Sequence, residues 1–372
     1  MNFTLAIIVS FAFSFFSTDD KNKSFRPGDL WLDDQGVHIN AHGGGILFYK
    51  GIYYWYGEHK TEGTEGNVAN VGVGVYSSSD LYNWKNEGIA LSVSDDPGSP
   101  IAKGCIIERP KVIYNPQTGK IIMWFHHELK GMGYLSAKTG IAVGDSPVGP
   151  FEYLESMNPH KGIWPLNLSE EQKNRRYPNN MEKWSDEWVQ AVNDGMYVVR
   201  DFEKGQMARD MTLFVDDDGK AYHIHSSEEN LTLHIAELNE DYTGFSGRYV
   251  RILPAGLNEA PALIKRNSKY VLIASGCTGW EPNAARSFIA DDIFGPWKDL
   301  GNPCIGEGAE LTFSSQSTFI LPVEGKNDFH IFMGDRWKPD NAIDGRYIWL
   351  PLEFDNDKPI LRWVDEWDLS EN

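Results

Sequence analysis

One pattern of polar and apolar positions recurs five times along the chain. A polar residue and a small residue or proline lead into an apolar stretch. A turn carrying Gly or Asn follows, and an aromatic strand closes the unit. The copies begin at His42 (HGGG, then ILFYKGIYYWYGE), Glu108 (ERP, then KVIYNPQTGKIIMWFHHE) and Arg209 (RDM, then TLFVDDDGKAYHIHSSE). The last two begin at Glu259 (EAP, then ALIKRNSKYVLIASG) and Gln316 (QST, then FILPVEGKNDFHIFMGDRW). Each copy reads as a hairpin of two strands of about five to seven residues. A looser pattern trails each one: GVGVYSSSDLYNW, GIAVGDSPVGPFEYL, LTLHIAELNEDYTGF, SFIADDIFGPWKDL and RYIWLPLEFDNDKP. There a strand ends in an Asp/Ser/Pro/Gly turn and an aromatic, and a further strand follows.

Each unit therefore supplies four strands, and the pattern predicts an all-β, five-bladed β-propeller with four-stranded blades. The inner strand of each blade then starts at the mouth of a central channel. Residues 42, 108, 210, 259 and 316 are expected to converge there. The longest step separates the second and third copies. Its excess, residues 156–207, is polar, Trp-bearing and helix-permissive. It is expected as an insertion on the channel rim, either a substrate-facing lid or a solvated loop. The expected organisation is a leader and disordered start over 1–24 and one propeller over 25–372.

The leader is the apolar run from Leu5 to Phe16, followed by Asp19, Asp20 and Lys21. It is shorter than the roughly 20 residues of a bilayer span. It fits the apolar region of a secretory signal peptide, with cleavage after Ser14 or Ser17, and implies a secreted or periplasmic protein. Cys105, Cys277 and Cys304 are too few for a disulfide framework and read as buried thiols.

Composition narrows the partners. Thirty-four Lys+Arg stand against 53 Asp+Glu, a formal charge of −19, which argues against nucleic acid and an anionic membrane surface. A neutral ligand remains compatible. The 13 Trp and 16 Tyr supply strand packing and leave aromatics free to stack on a sugar face.

Polar strand starts around a dead-end funnel make a binding site by position. Two of them, Glu108 and Glu259, are carboxylates. Glycoside hydrolysis needs one proton donor and one group that activates water. A Glu protonated near neutral pH needs burial or a carboxylate neighbour, and here a neighbour is available. Trp280, after the fourth-blade strand, is placed to stack on a pyranose. Glu58, ending YYWYGE, sits near the mouth, and Asp210 heads the third blade as an acceptor for sugar hydroxyls. Tyr134, Asn283 and His42 complete the candidate substrate-binding set. Asp216-Asp217-Asp218-Gly219 reads as a hairpin turn rather than a calcium loop. Glu228-Glu229 reads as rim. His223 and His225 share one strand face, but no third ligand stands out, and neither metal nor cofactor is expected.

These motifs together resemble glycoside hydrolase family 43, a family of inverting five-bladed propellers. Glu259-Ala260-Pro261 is similar to that family's general-acid motif. The usual first-blade Asp base is missing, since the matching stretch is Asn40-Ala41-His42-Gly43-Gly44-Gly45. AHGGG, YYWYGE, ERPKVIYN, CTGW and SQSTFI resemble instead the exo-β-1,3-galactanase branch. That resemblance implies Gln316 in the general-base position as an imidic-acid tautomer. It also implies Glu108 orienting the sugar and tuning the acid. A normal amide is a negligible base, so from physics alone Gln316 orients water.

The expectation is an exo-acting, inverting hydrolase, and a monomer. It would release galactose from neutral β-1,3-galactan, the backbone of type II arabinogalactan. One rival is an α-L-arabinofuranosidase or β-xylosidase, which usually keeps the missing Asp. The other is a glycan-binding propeller without turnover.

Overall fold

The computed structural model describes residues 22–178 and 180–370. The leader at residues 5–16 lies outside the described residues. Among the described residues no helix is long and apolar enough to cross a membrane.

Five antiparallel sheets carry the chain in sequence order. The first blade is β1 (His42–Tyr49), β2 (Ile52–Lys60), β3 (Asn70–Ser78) and β4 (Lys85–Ser92). The second is β5 (Ile106–Tyr114), β6 (Ile121–Glu128), β7 (Lys138–Gly144) and β8 (Glu152–Met157). The helices α1 (Glu170–Asn174), α2 (Asp186–Asn193) and α3 (Met196–Asp201) intervene. The third blade is β9 (Met211–Val215), β10 (Ala221–Ser227), β11 (Thr232–Leu238) and β12 (Phe245–Ile252). The fourth is β13 (Glu259–Arg266), β14 (Lys269–Ser275), β15 (Arg286–Ala290) and β16 (Lys298–Gly301). The fifth holds β17 (Cys304–Ile305), β18 (Gln316–Pro322), β19 (His330–Arg336), β20 (Arg346–Asp355) and β21 (Lys358–Arg362). Its extra strand, β17, pairs parallel to β21 at the outer edge.

The inner strands close a ring: β1 packs on β5, β5 on β9, β9 on β13, β13 on β18, and β18 back on β1. An apolar cluster fills each seam between blades. Trp124, Ile141 and Leu213 join the second blade to the third, for example, and Ile235, Leu263 and Leu272 join the third to the fourth. Among the described residues no covalent turn crosses the seam between the fifth and first blades. There Phe25 pairs with Trp367 through the backbone and stacks on its ring at 4.2 Å. Trp31, Trp55, Trp84 and Trp349 pack alongside. Much of the tryptophan excess sits in this closure.

The insertion builds a flank rather than a lid. Its Leu166 N–H donates to the Tyr249 carbonyl at 2.8 Å, and Asn167 bonds the Arg251 backbone both ways, so it covers the free edge of β12. Ser185 caps α2, whose Trp188 and Val192 pack on Tyr197 and Leu231. None of the described residues of 156–207 contributes a wall to the axial funnel. The Asp216–Gly219 stretch is the expected hairpin turn between β9 and β10. All three cysteines are free.

Four of the five inner strands begin with a bulge. The register slips between His42 and Gly45, Glu108 and Lys111, Glu259 and Ala262, and Ser317 and Phe319. In the first three, the residue just past the start of the slip has positive φ: Gly43 at 62°, Arg109 at 53° and Ala260 at 51°. A bulge re-aims the side chain beside it, and this one turns 108 and 259 toward the axis. Gly43 takes the left-handed conformation where a Cβ would run into the Glu58 carboxylate.

Candidate active site

The axial funnel holds about 610 Å³. Glu58, Glu108, Arg109, Asp210, Glu259 and Gln316 wall it, with Tyr134, Trp280 and Trp337 as its aromatic lining. Seven of the nine expected residues therefore meet in one place. His42 and Asn283 do not line it. His42 is 1% exposed and stacks on Tyr347 with ring centroids 5.4 Å apart. Asn283 instead ties the Trp280 loop, bonding the Gly276 backbone from both ends of its amide at 2.7 and 3.0 Å.

Glu259 is the carboxyl of the funnel best placed to hold a proton near neutral pH. Burial pushes its carboxyl up to about 7, and the Asp210 carboxylate adds to the rise. Cys277, Arg109 and Asn230 pull the other way without prevailing. Asn230 Nδ2 donates to Glu259 Oε1 at 2.7 Å and fixes that oxygen. The neighbour that raises Glu259 is thus Asp210, rather than the Glu108 of the family resemblance.

Glu108 sits in the opposite regime. Burial would raise it, but His126, the Tyr134 hydroxyl and Lys60 hold it down at about 2. Its Oε1 accepts from Tyr134 Oη at 2.5 Å and from Asn67 Nδ2, and its Oε2 pairs with His126 Nδ1 at 2.8 Å. His126 lies between two carboxylates, with Nε2 3.0 Å from Glu128 Oε1. Burial opposes its charge, yet the two carboxylates push it up to about 9. Glu108 is therefore an acceptor at neutral pH. Glu58 is 1% exposed, pairs with Lys60 Nζ at 2.9 Å and accepts from the Arg109 N–H.

Arg109 is the hub that sequence reasoning passed over. Its Nη2 donates to Gln316 Oε1 at 2.5 Å and pairs with Asp210 Oδ2 at 3.0 Å, and its Nη1 donates to the Ser317 carbonyl. Trp337 Nε1 also donates to Gln316 Oε1, at 2.9 Å. Both neighbours are obligate donors, so the atom they face is the amide oxygen. Gln316 Nε2 donates to Ser275 Oγ at 2.9 Å. Beneath, Asp335 accepts from the Gly43 N–H at 2.5 Å, and burial pushes it up to about 7. Burial, helped by Arg109, pulls Lys111 down to about 7. These two neutralise rather than leave bare charges under the floor.

Arg109 and His126 stood inside the ERP and FHHE motifs. Asn67 and Asn230 lie in connections outside the repeat, where sequence carries no positional signal, and Trp337 ends the fifth copy at an offset the other copies do not share. Glu228 is buried against Arg251 and His234, away from the funnel, and only Glu229 is on the surface.

A closed ring with one axial funnel, a carboxyl raised to about 7 and a second carboxylate held ionised is the site of a glycoside hydrolase. The chain belongs to glycosyl hydrolases family 43, whose family model matches residues 155–350. It is similar to a GH43 beta 1,3 galactosidase solved with galactodeoxynojirimycin, at 52% identity and a TM-score of 0.90, over 93% of this chain and 100% of that one. It is also similar to an exo-beta-1,3-galactanase from Clostridium thermocellum, at 34% identity and TM-score 0.74, over 93% and 66% of the two chains. A third likeness is the exo-beta-1,3-galactanase from Phanerochaete chrysosporium with galactose, at 30% identity and TM-score 0.74, over 93% and 68%. No curated protein matches the chain.

Proposed function

We propose that this enzyme releases galactose from the non-reducing end of β-1,3-galactan, the backbone of type II arabinogalactan, with inversion. The carrying observation is the Glu259 carboxyl, raised to about 7 in the funnel and oriented by Asn230. Likeness to beta 1,3 galactosidases and exo-beta-1,3-galactanases supports the substrate.

Glu259 protonates the leaving glycosidic oxygen while water enters from the opposite face of the sugar. Gln316 holds that water in place. Its oxygen already receives Arg109 and Trp337, so an imidic-acid tautomer, with a proton on that oxygen, would have to give up one of these donors. In the resting site Gln316 is an amide that positions water. Glu108 accepts a sugar hydroxyl, and Trp280 offers a face to the pyranose. The apolar run at Leu5–Phe16 supports export to the periplasm or the medium.

Incubation with β-1,3-galactan, followed by anomer-resolved NMR, tests the reading. The expected product is galactose appearing first as the α-anomer. First appearance of the β-anomer overturns inversion. Tight retention of galactan without release of any sugar favours a binding propeller.

A further inference from the structure

Three histidines meet inside the third blade, outside the lining of the funnel. His225 on β10 faces His234 on β11 as a cross-strand pair. His160 comes from the turn after β8 and stacks on Tyr249 with ring centroids 3.7 Å apart and planes 5° apart. One ligand atom from each ring lies within 4.8 Å of the other two, and no ring is more than 4% exposed. Both nitrogens of His160, both of His225 and Nδ1 of His234 have no hydrogen-bond partner among the described residues. The His223 backbone lies near the His225 ring without completing a bond. An unmade bond on one buried polar group costs about 1–3 kcal/mol, so five such nitrogens in one place call for a ligand.

The chemistry of the rings suits one. His234 Nε2 bonds Glu228 Oε1 at 2.8 Å, which places the ring hydrogen on Nε2 and leaves the Nδ1 lone pair without a partner. Arg251 grips Glu228 through Nε at 2.6 Å and Nη2 at 2.7 Å. A carboxylate behind an imidazole is the usual second partner of a metal-bound histidine.

We propose that His160, His225 and His234 bind one divalent first-row transition ion, zinc in preference, with water at the fourth position. Imidazole donors without carboxylate or thiolate ligands suit Zn²⁺ over Ca²⁺, Mg²⁺ or Cu(I). Bonds of about 2.0–2.1 Å place tetrahedral ligand atoms roughly 3.4 Å apart, so the rings draw inward by an ångström or so on binding. His160 reaches the cluster from a turn at φ 62°. The ion staples the start of the 156–207 insertion to the third blade. It also secures the Glu228–Asn230 turn, whose Asn230 holds Glu259.

The test uses full-length protein without an affinity tag, stripped by a chelator in mild denaturant and returned to buffer with Zn²⁺ or Co²⁺. About one ion per chain is expected, with the visible bands of four-coordinate Co²⁺. The melting temperature is expected to rise by about 5 °C. His160→Phe keeps a ring on Tyr249 and should fold, lose the ion and lose the bands, and His225→Gln should do the same. Wild-type protein that is folded yet binds no stoichiometric ion overturns the proposal. So does retention of the ion by both variants at wild-type affinity. Neither readout depends on galactan hydrolysis.

Discussion

Asp210 and Glu259 head neighbouring blades, and the charge of the first adds to the burial that keeps the proton on the second. Asp210 is itself bound at 3.0 Å by Arg109 and at 3.2 Å by the Ala260 N–H, one residue past the acid. The pair explains how a Glu with a pKa of about 7 persists in a funnel that also contains a guanidinium.

Asp210→Asn removes that charge. A like charge disfavours the ionised form, so its loss lowers the Glu259 pKa. A general acid works only below its pKa. The alkaline limb of kcat/KM, expected near pH 7, should move down by about one unit. An unmoved limb would show that burial alone sets the acid.

Glu259→Gln removes the donor and keeps the Asn230 contact volume. The loss of kcat on galactan should be about 10²–10⁴-fold. An aryl galactoside, whose leaving group needs no proton, should lose far less. Equal losses on both substrates would deny Glu259 the acid role.

Trp337→Phe deletes one of the two donors on Gln316 while keeping a ring beside Arg109. If Gln316 positions water, kcat should fall by about tenfold, the value of one neutral hydrogen bond of roughly 1.4 kcal/mol, with KM little changed. Gln316→Ala should fall further. Wild-type turnover by Gln316→Ala would remove this residue from the reaction.

The Glu108–His126 pair carries a pH signature of its own. His126 is raised to about 9, so its contribution is complete below its unfolded pKa of about 6.5 and is lost as pH rises through 9. Glu108 is depressed to about 2, so its contribution is complete above its unfolded pKa of about 4.3 and is lost as pH falls through 2. The pair is most stabilising between these unfolded values. KM should climb above about pH 9 as Glu108 loses its cationic partner. In His126→Gln that rise should be absent and KM high throughout.

Phe25→Ala opens the seam between the fifth and first blades. Phe25 is 2% exposed against Trp367. Truncating a buried aromatic costs about 3–5 kcal/mol. Denaturant unfolding should show that loss with a cooperative transition retained. A loss below about 1 kcal/mol would mean that the tryptophans alone close the ring.

The blades were legible because a four-stranded sheet has a short-range signature: alternating or aromatic strands and Gly/Asp turns. Five repeats of it leave few closed arrangements. Glu108, Glu259 and Gln316 were legible because each stands at a repeated offset at or near the start of an inner strand, Glu108 two residues inside β5. The residues left out stand elsewhere. Asn67 sits in a 3-10 turn, Asn230 in a hairpin turn and Trp337 past a strand end, at offsets no other blade repeats. His42 went astray in the opposite way. It holds the same offset as Glu108 and Glu259, yet Tyr347 and Asp335 cover it.

The sequence by itself determined the repeat, hence the ring, and the strand starts that converge on its axis. It also determined which starts carry a carboxyl and which an amide. Only the tertiary structure decided their protonation. That depends on burial and on charges from other blades: Asp210 beside Glu259, His126 behind Glu108, Arg109 across to Gln316. Such pairs lie up to about two hundred residues apart along the chain. Electrostatic energy follows distance in space and local dielectric, and neither is written in the order of residues.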